Sequence, residues 1–143
     1  MKCERIPLGA QGAYLDTYFL ADSPELKAGA CRPAVVVCPG GGYAYTSDRE
    51  AEPIPFAPGA RRLDAAPPRY PRAPARFPAA LRALAEAVAW VRAGAAENHV
   101  DPRQISVCGF SAGGHLAGSL GVFWNAPFLA AETGLAPQDM RPD

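Results

Sequence analysis

The residues best placed to do chemistry are Gly109-Phe110-Ser111-Ala112-Gly113, a G-x-S-x-G pattern. In such a pattern the serine occupies a strained turn between a strand and a helix, which lifts its hydroxyl clear of the sheet as a nucleophile. A side chain at 109 or 113 would collide with the neighbouring strand or helix, so glycine on both sides lets the turn close. The flanks agree: Ile105, Val107 and Cys108 read as a buried strand before the motif, and Leu116, Leu120 and Phe123 follow at helical spacing. A second candidate is Pro39-Gly40-Gly41-Gly42-Tyr43, directly after the β-branched run Arg32–Cys38. Successive glycines leave backbone N–H groups free to converge on an anion or a developing oxyanion. The same composition also makes a plain flexible connection.

A serine is a weak nucleophile at neutral pH and needs a positioned base. The chain has 2 histidines, His99 and His115. His99 lies in the connection entering the elbow strand, which puts it at the end of the sheet away from Ser111. His115 stands four residues beyond Ser111 on the same helix, where packing against the nucleophile's turn is the expected role. Asp139 and Asp143 follow Ser111 but precede any later strand that could carry a triad acid. The expectation is therefore a nucleophile without its base. Dinucleotide binding is the other use of a glycine-rich strand-to-helix turn, but Phe110 and Ser111 break G-x-G-x-x-G and no acidic residue about 20 positions on completes that unit.

The elements that must position these groups can be read in order. Ala13–Leu20 is aromatic-rich with partial alternation and predicts a strand exposed on one face. Arg32–Cys38 predicts a strand buried on both faces of a parallel sheet. Leu81, Leu84, Val88 and Val91 mark one apolar stripe, giving a helix over Pro78–Ala96. A long helix between two short apolar strands predicts parallel pairing of Val35–Cys38 with Ile105–Gly109. Phe128–Gly134 offers about two further helical turns.

One stretch breaks the pattern. Between Ala57 and Ala75, 16 of 19 residues are Ala, Pro, Gly or Arg, and 8 of the chain's 16 prolines fall between Pro53 and Pro78. Proline removes a ladder donor, so residues 57–74 predict irregular chain with no central strand. All four residue types have codons beginning with two G or C bases, as in a GC-rich gene read in a shifted frame. The nucleotide sequence across codons 55 to 75 tests that origin.

Composition bounds the rest. The 143 residues are 49% hydrophobic, and 14 basic residues balance 14 acidic ones. That predicts one soluble domain and argues against nucleic acid as a partner. Met1–Ile6 lacks an apolar export segment and no run approaches ~18 apolar residues, so the reading is cytoplasmic, with no membrane partner. Cys3, Cys31, Cys38 and Cys108 show no metal spacing and read as reduced thiols, Cys38 and Cys108 within buried strands. Neither metal nor cofactor is expected.

Val35–Tyr43, Ser47–Glu52, Ala73–Pro78, the helix to Val91 and Val100–Leu116 together resemble the N-terminal half of an α/β-hydrolase of the esterase/lipase superfamily. The closest likeness is to its acetyl-xylan-esterase-like, carbohydrate-ester-hydrolysing branch. Residues 57–72 depart from the family, and Pro39 stands where lipase-type relatives carry histidine. The resemblance implies a partial α/β-hydrolase fold over 1–143, with a mostly parallel sheet flanked by helices and truncated after the elbow helix. It implies attack by Ser111 on a small-molecule ester, with the N–H groups of Ala112, Gly41 and Gly42 as the oxyanion hole. It also implies a chain that is inactive alone, or a half-domain pairing with another chain. A half-sheet would leave Leu116 and Leu120 partly covered and a free edge available for self-association.

Overall fold

The chain opens with two antiparallel strands, β1 (Lys2–Pro7) and β2 (Tyr14–Phe19), followed by one turn of helix, α1 (Pro24–Lys27). The computed structural model describes residues 1–9, 12–51 and 64–143. Next come β3 (Arg32–Cys38), the short α2 (Asp48–Ala51), and the two-residue strands β4 (Asp64–Ala65) and β5 (Pro68–Arg69). Helix α3 (Ala79–Ala93) leads to β6 (Val100–Gly109), α4 (Ala112–Phe123), α5 (Pro127–Thr133) and α6 (Pro137–Met140). The strands lie in the order β1-β2-β4-β3-β6, with β5 also paired to β2.

The expected parallel pair is present. Val35 to Cys38 run beside Ser106 to Gly109 in unbroken register. The sheet as a whole is mixed, because β4-β3-β6 is parallel while β1, β2 and β5 pair antiparallel. Helix α3 forms for the reason its sequence predicts: Leu81, Leu84, Val88 and Val91 all point inward and are buried. Removing such a side chain from water contributes roughly 1.5–3 kcal/mol. Gly94 caps the helix with its N–H on Trp90 O, two residues before the predicted end.

Three expectations fail. The segment predicted to hold no central strand places Asp64–Ala65 between β2 and β3, parallel to Ala34–Val35; residues 57–63 lie outside the described residues. What seats it is polar. The fully buried Asp64 carboxylate accepts from Leu20 N at 2.7 Å and from Arg32 Nε at 3.2 Å, and the Ala66 N–H extends the pairing to Val35 O. Strand β2 does show two unlike faces: Leu15, Thr17 and Phe19 are buried on one, while Tyr14 and Tyr18 are half-buried on the other, where Asp16 is satisfied by the Arg5 fork at 2.7 and 3.0 Å. Cys108 is exposed, and only Cys38 of the four thiols is buried. Leu116 and Leu120 are buried, since α4 packs against α3 as well as β6.

Among the described residues β6 has one strand neighbour, β3. Its other edge is met at one rung, where the Asp143 N–H donates to Ile105 O at 3.0 Å and the Asp143 carboxylate accepts from Ile105 N at 3.2 Å. No helix among the described residues is long and apolar enough to cross a membrane.

Candidate active site

The parallel pair β3 and β6 brings two turns to the same end of the sheet. Phe110 N–H donates to Cys38 O at 3.1 Å, so the two strands stay joined until both chains leave the sheet. On the β6 side Ser111 adopts φ 51 and ψ −118, left-handed backbone that a non-glycine residue rarely takes. Helix α4 starts at the next residue, its first turn closed by Gly113 N–H on Phe110 O and His115 N–H on Ser111 O. Ser111 itself is exposed.

The flanking glycines do the steric work predicted for them. A Cβ at Gly109 would stand 2.2 Å from Gly113 O, and one at Gly113 would stand 2.1 Å from Cys38 O. Both obstacles are backbone, so nothing can swing aside. The elbow is therefore a close three-way approach of β3, β6 and α4.

On the β3 side, Pro39–Tyr43 is braced from several directions. Gly40 N–H donates to Glu50 Oε2 at 2.7 Å, and Gly40 O accepts from Ser47 N at 2.9 Å. The buried Tyr70 hydroxyl donates to Pro39 O. Tyr43 sits at φ 59, with its hydroxyl 2.8 Å from His115 Nδ1 in a shared hydrogen bond and its ring edge-on to both Tyr70 and His115. Burial raises the Tyr43 phenol above its ordinary pKa of 10.0. Loop and elbow touch: a Cβ on Gly40 would stand 3.3 Å from Ser111 Cβ. With Glu50 holding Gly40 N–H, no hydrogen bond within the described residues takes the N–H of Gly41 or Gly42.

Residues 23–139 match the model of the BD-FAE family. The chain belongs to the BD-FAE family. This BD-FAE chain is also similar to solved structures of hydrolases. An alpha/beta hydrolase enzyme from a Medee basin deep-sea metagenome library is 38% identical with a TM-score of 0.80, covering 85% of this chain and 51% of that one. A carboxylesterase from Lactobacillus plantarum is 28% identical with a TM-score of 0.79, covering 94% and 50%. An acetyl ester-xyloside bifunctional hydrolase from Caldicellulosiruptor lactoaceticus is 29% identical with a TM-score of 0.74, covering 94% and 47%. The chain spans about half the length of these relatives, and its fold is a partial α/β-hydrolase fold. A search of curated proteins found no match.

Within this BD-FAE chain Ser111, Ala112, Gly41 and Gly42 come together at one end of the sheet. His99 does not join them. Its carbonyl accepts from Arg32 N at 2.8 Å, at the start of β3 and so at the opposite end. His115 is nearby but turned to Tyr43. Glu50, Tyr70 and the Tyr43–His115 pair have no counterpart in the predicted site. The only signal for them was position, since Glu50 and Tyr43 fall in segments that carried the family resemblance. The cysteines of β3 and β6 offer no rival nucleophile: full burial pushes the Cys38 thiol upward, and partial desolvation by its neighbours raises that of the more exposed Cys108, so both keep their protons at neutral pH.

Proposed function

We propose that this chain carries the nucleophile and oxyanion hole of a carboxylic-ester hydrolase acting on carbohydrate esters. The observation that carries the proposal is Ser111 at φ 51 on the elbow, exposed and in touch with the glycine loop. Ser111 Oγ attacks the ester carbonyl, forming an acyl-enzyme as the alcohol leaves, and water then releases the acid. The N–H groups of Ala112, Gly41 and Gly42 hold the oxyanion, each such donor being worth roughly 3–4 kcal/mol at the transition state. The named relative that hydrolyses an acetyl ester and a xyloside supports the carbohydrate ester as substrate class. So does a polar cleft of 530 Å³ lined by Thr46, Asp48, Arg69, Tyr70 and Arg72, the Tyr70 hydroxyl of which reaches the glycine loop.

A second reading is favoured by the two histidines. His99 is at the wrong end of the sheet and His115 directs Nδ1 to the Tyr43 hydroxyl, and among the described residues no hydrogen bond joins Ser111 to either imidazole. On that reading the 143-residue chain alone is catalytically incompetent, or acts as a half-domain completed by another chain across the β6 edge. Losing triad members leaves only a ~10³–10⁴-fold advantage over water in serine hydrolases. The test is fluorophosphonate labelling, in which Ser111 Oγ bonds phosphorus, fluoride leaves and the proton passes to solvent, run beside a p-nitrophenyl acetate assay. Slow labelling of the native chain, none of Ser111→Ala, and turnover below ~1 per second are expected. Equal labelling of both chains would sink the nucleophile assignment, and faster serine-dependent turnover would sink the incompetence reading.

A further inference from the structure

We propose that an apolar cavity of 240 Å³ walled by Tyr43, Phe77, Leu81, His115 and Leu116 binds the acyl half of the ester, and that the acyl group is a chain of several carbons. The inference rests on the esterase reading and adds the substrate's acyl class to it. Location comes first. His115 and Leu116 stand four and five residues past Ser111 on α4, so the cavity begins one helical turn from the nucleophile. Tyr43 directly follows Gly42, so the opposite wall is the end of the glycine loop. The cavity is therefore bounded by the two elements that meet at the elbow.

The lining chemistry selects the occupant. Leu81 and Leu116 are buried, and Ala80, Pro78 and the Phe77 ring add further carbon. Of the polar groups at the wall, Tyr43 Oη and His115 Nδ1 hold each other and Ser119 Oγ donates to His115 O at 2.8 Å, while the exposed Arg76 adds a guanidinium. A hydroxylated sugar placed here would lose its hydration against a mostly apolar wall and meet Tyr43, His115 Nδ1 and Ser119 already paired. Across Pro71 and Ala75, which line both cavities, lies the polar 530 Å³ cleft. An ester of a sugar has one apolar and one polar half, and the two cavities match that division. The exposed Phe77, packed 5.6 Å centroid to centroid on Phe128, gives the smaller cavity an apolar lip, and its 240 Å³ is more room than an acetyl methyl fills.

The test uses the N-methylamides of acetic, butanoic and hexanoic acid, neutral and uncleaved stand-ins for the acyl half, titrated into ¹⁵N-labelled chain. Affinity is expected to rise about fourfold per buried methylene, with amide shifts centred on Tyr43, Leu81 and Leu116. Ala80→Trp, filling the cavity from α3, is expected to abolish the length dependence; Ala75→Phe does the same from the loop and serves if the first variant does not fold. Alkyl fluorophosphonates of the same lengths should label Ser111 in the same order. Affinity that is flat from acetyl to hexanoyl, or length dependence unchanged in both variants, overturns the proposal. Phosphonylation of Ser111 without length dependence overturns the acyl assignment alone. Length-dependent amide binding without any phosphonylation of Ser111 overturns the esterase reading and the acyl assignment with it.

Discussion

The elbow and the segment from Asp64 to Ala75 reach the same end of the molecule by opposite means. The elbow is set by backbone against backbone: Gly109 against Gly113, Gly113 against Cys38, and Ser111 held at a positive φ between them. The second region has no apolar period and only two-residue strands, yet it is held by side chains. Asp64 anchors it to Leu20 and Arg32, Arg69 to Thr46 and Asp48, and Tyr70 to Pro39. A segment with a proline-rich, repetitive composition can thus take a place inside a sheet when a few buried polar groups find partners. The elbow requires shape, and the segment requires charge and hydrogen bonds.

The largest expected effect breaks the second region. Asp64→Ala leaves the Arg32 guanidinium and Leu20 N–H without their buried acceptor, and breaking such a pair costs roughly 3–5 kcal/mol, read as a lower midpoint in urea. This penalty depends on pH. Burial raises the Asp64 pKa above 3.8 despite the opposing Leu20 and Arg32 contacts, so the folded chain holds that proton more tightly than the unfolded one. The proton-linked part of the stability contributed by Asp64 is then fully present below the unfolded pKa and falls away as pH rises through the raised one. The gap between native chain and variant should be wider at pH 4 than at pH 7, and a gap that widens toward neutrality would contradict the assignment.

Next in size is the elbow. Gly113→Ala places a methyl 2.1 Å from Cys38 O, so strand and helix must move apart. Overpacking of this kind costs roughly 1–3 kcal/mol, and phosphonate labelling of Ser111 should disappear with it. Gly118→Ala on the same helix has nothing within 4 Å and no positive φ, and should stabilise by up to ~1 kcal/mol. Equal effects from the two substitutions would show that shape does not govern this turn.

The smallest effect is at the tie between the regions. Tyr70→Phe deletes the hydroxyl that donates to Pro39 O and should cost about 1 kcal/mol, measured as a midpoint shift. It should also slow Ser111 labelling, because the glycine loop loses one of its braces. Unchanged labelling with reduced stability would separate the two regions functionally.

Much of the elbow was legible from residue types alone. The G-x-S-x-G pattern, the stripe Leu81-Leu84-Val88-Val91 and the pairing of Val35–Cys38 with the strand before Ser111 all follow from local period and local sterics. Glycine is required wherever backbone meets backbone, and that requirement is written at the position itself. The neighbours of an element are not. The strand at Asp64–Ala65 was missed because composition does not report which strands will flank a segment. Cys108 was misjudged because β6 is covered at Ile105 and open further along.

What only the tertiary structure decided are contacts between residues far apart in the chain. Glu50 lies 10 residues from Gly40, Tyr70 31 from Pro39, Arg32 32 from Asp64 and Tyr43 72 from His115. No period or turn signal encodes which acceptor a carboxylate or phenol will meet at such distances. The sequence by itself determined where the nucleophile turns and which helix face is buried, since bond rotation and apolar spacing act over a few residues. The folded chain decided how the glycine loop is braced, and that Asp64 enters the sheet, because buried polar groups are satisfied by whichever partners the packed core brings to them.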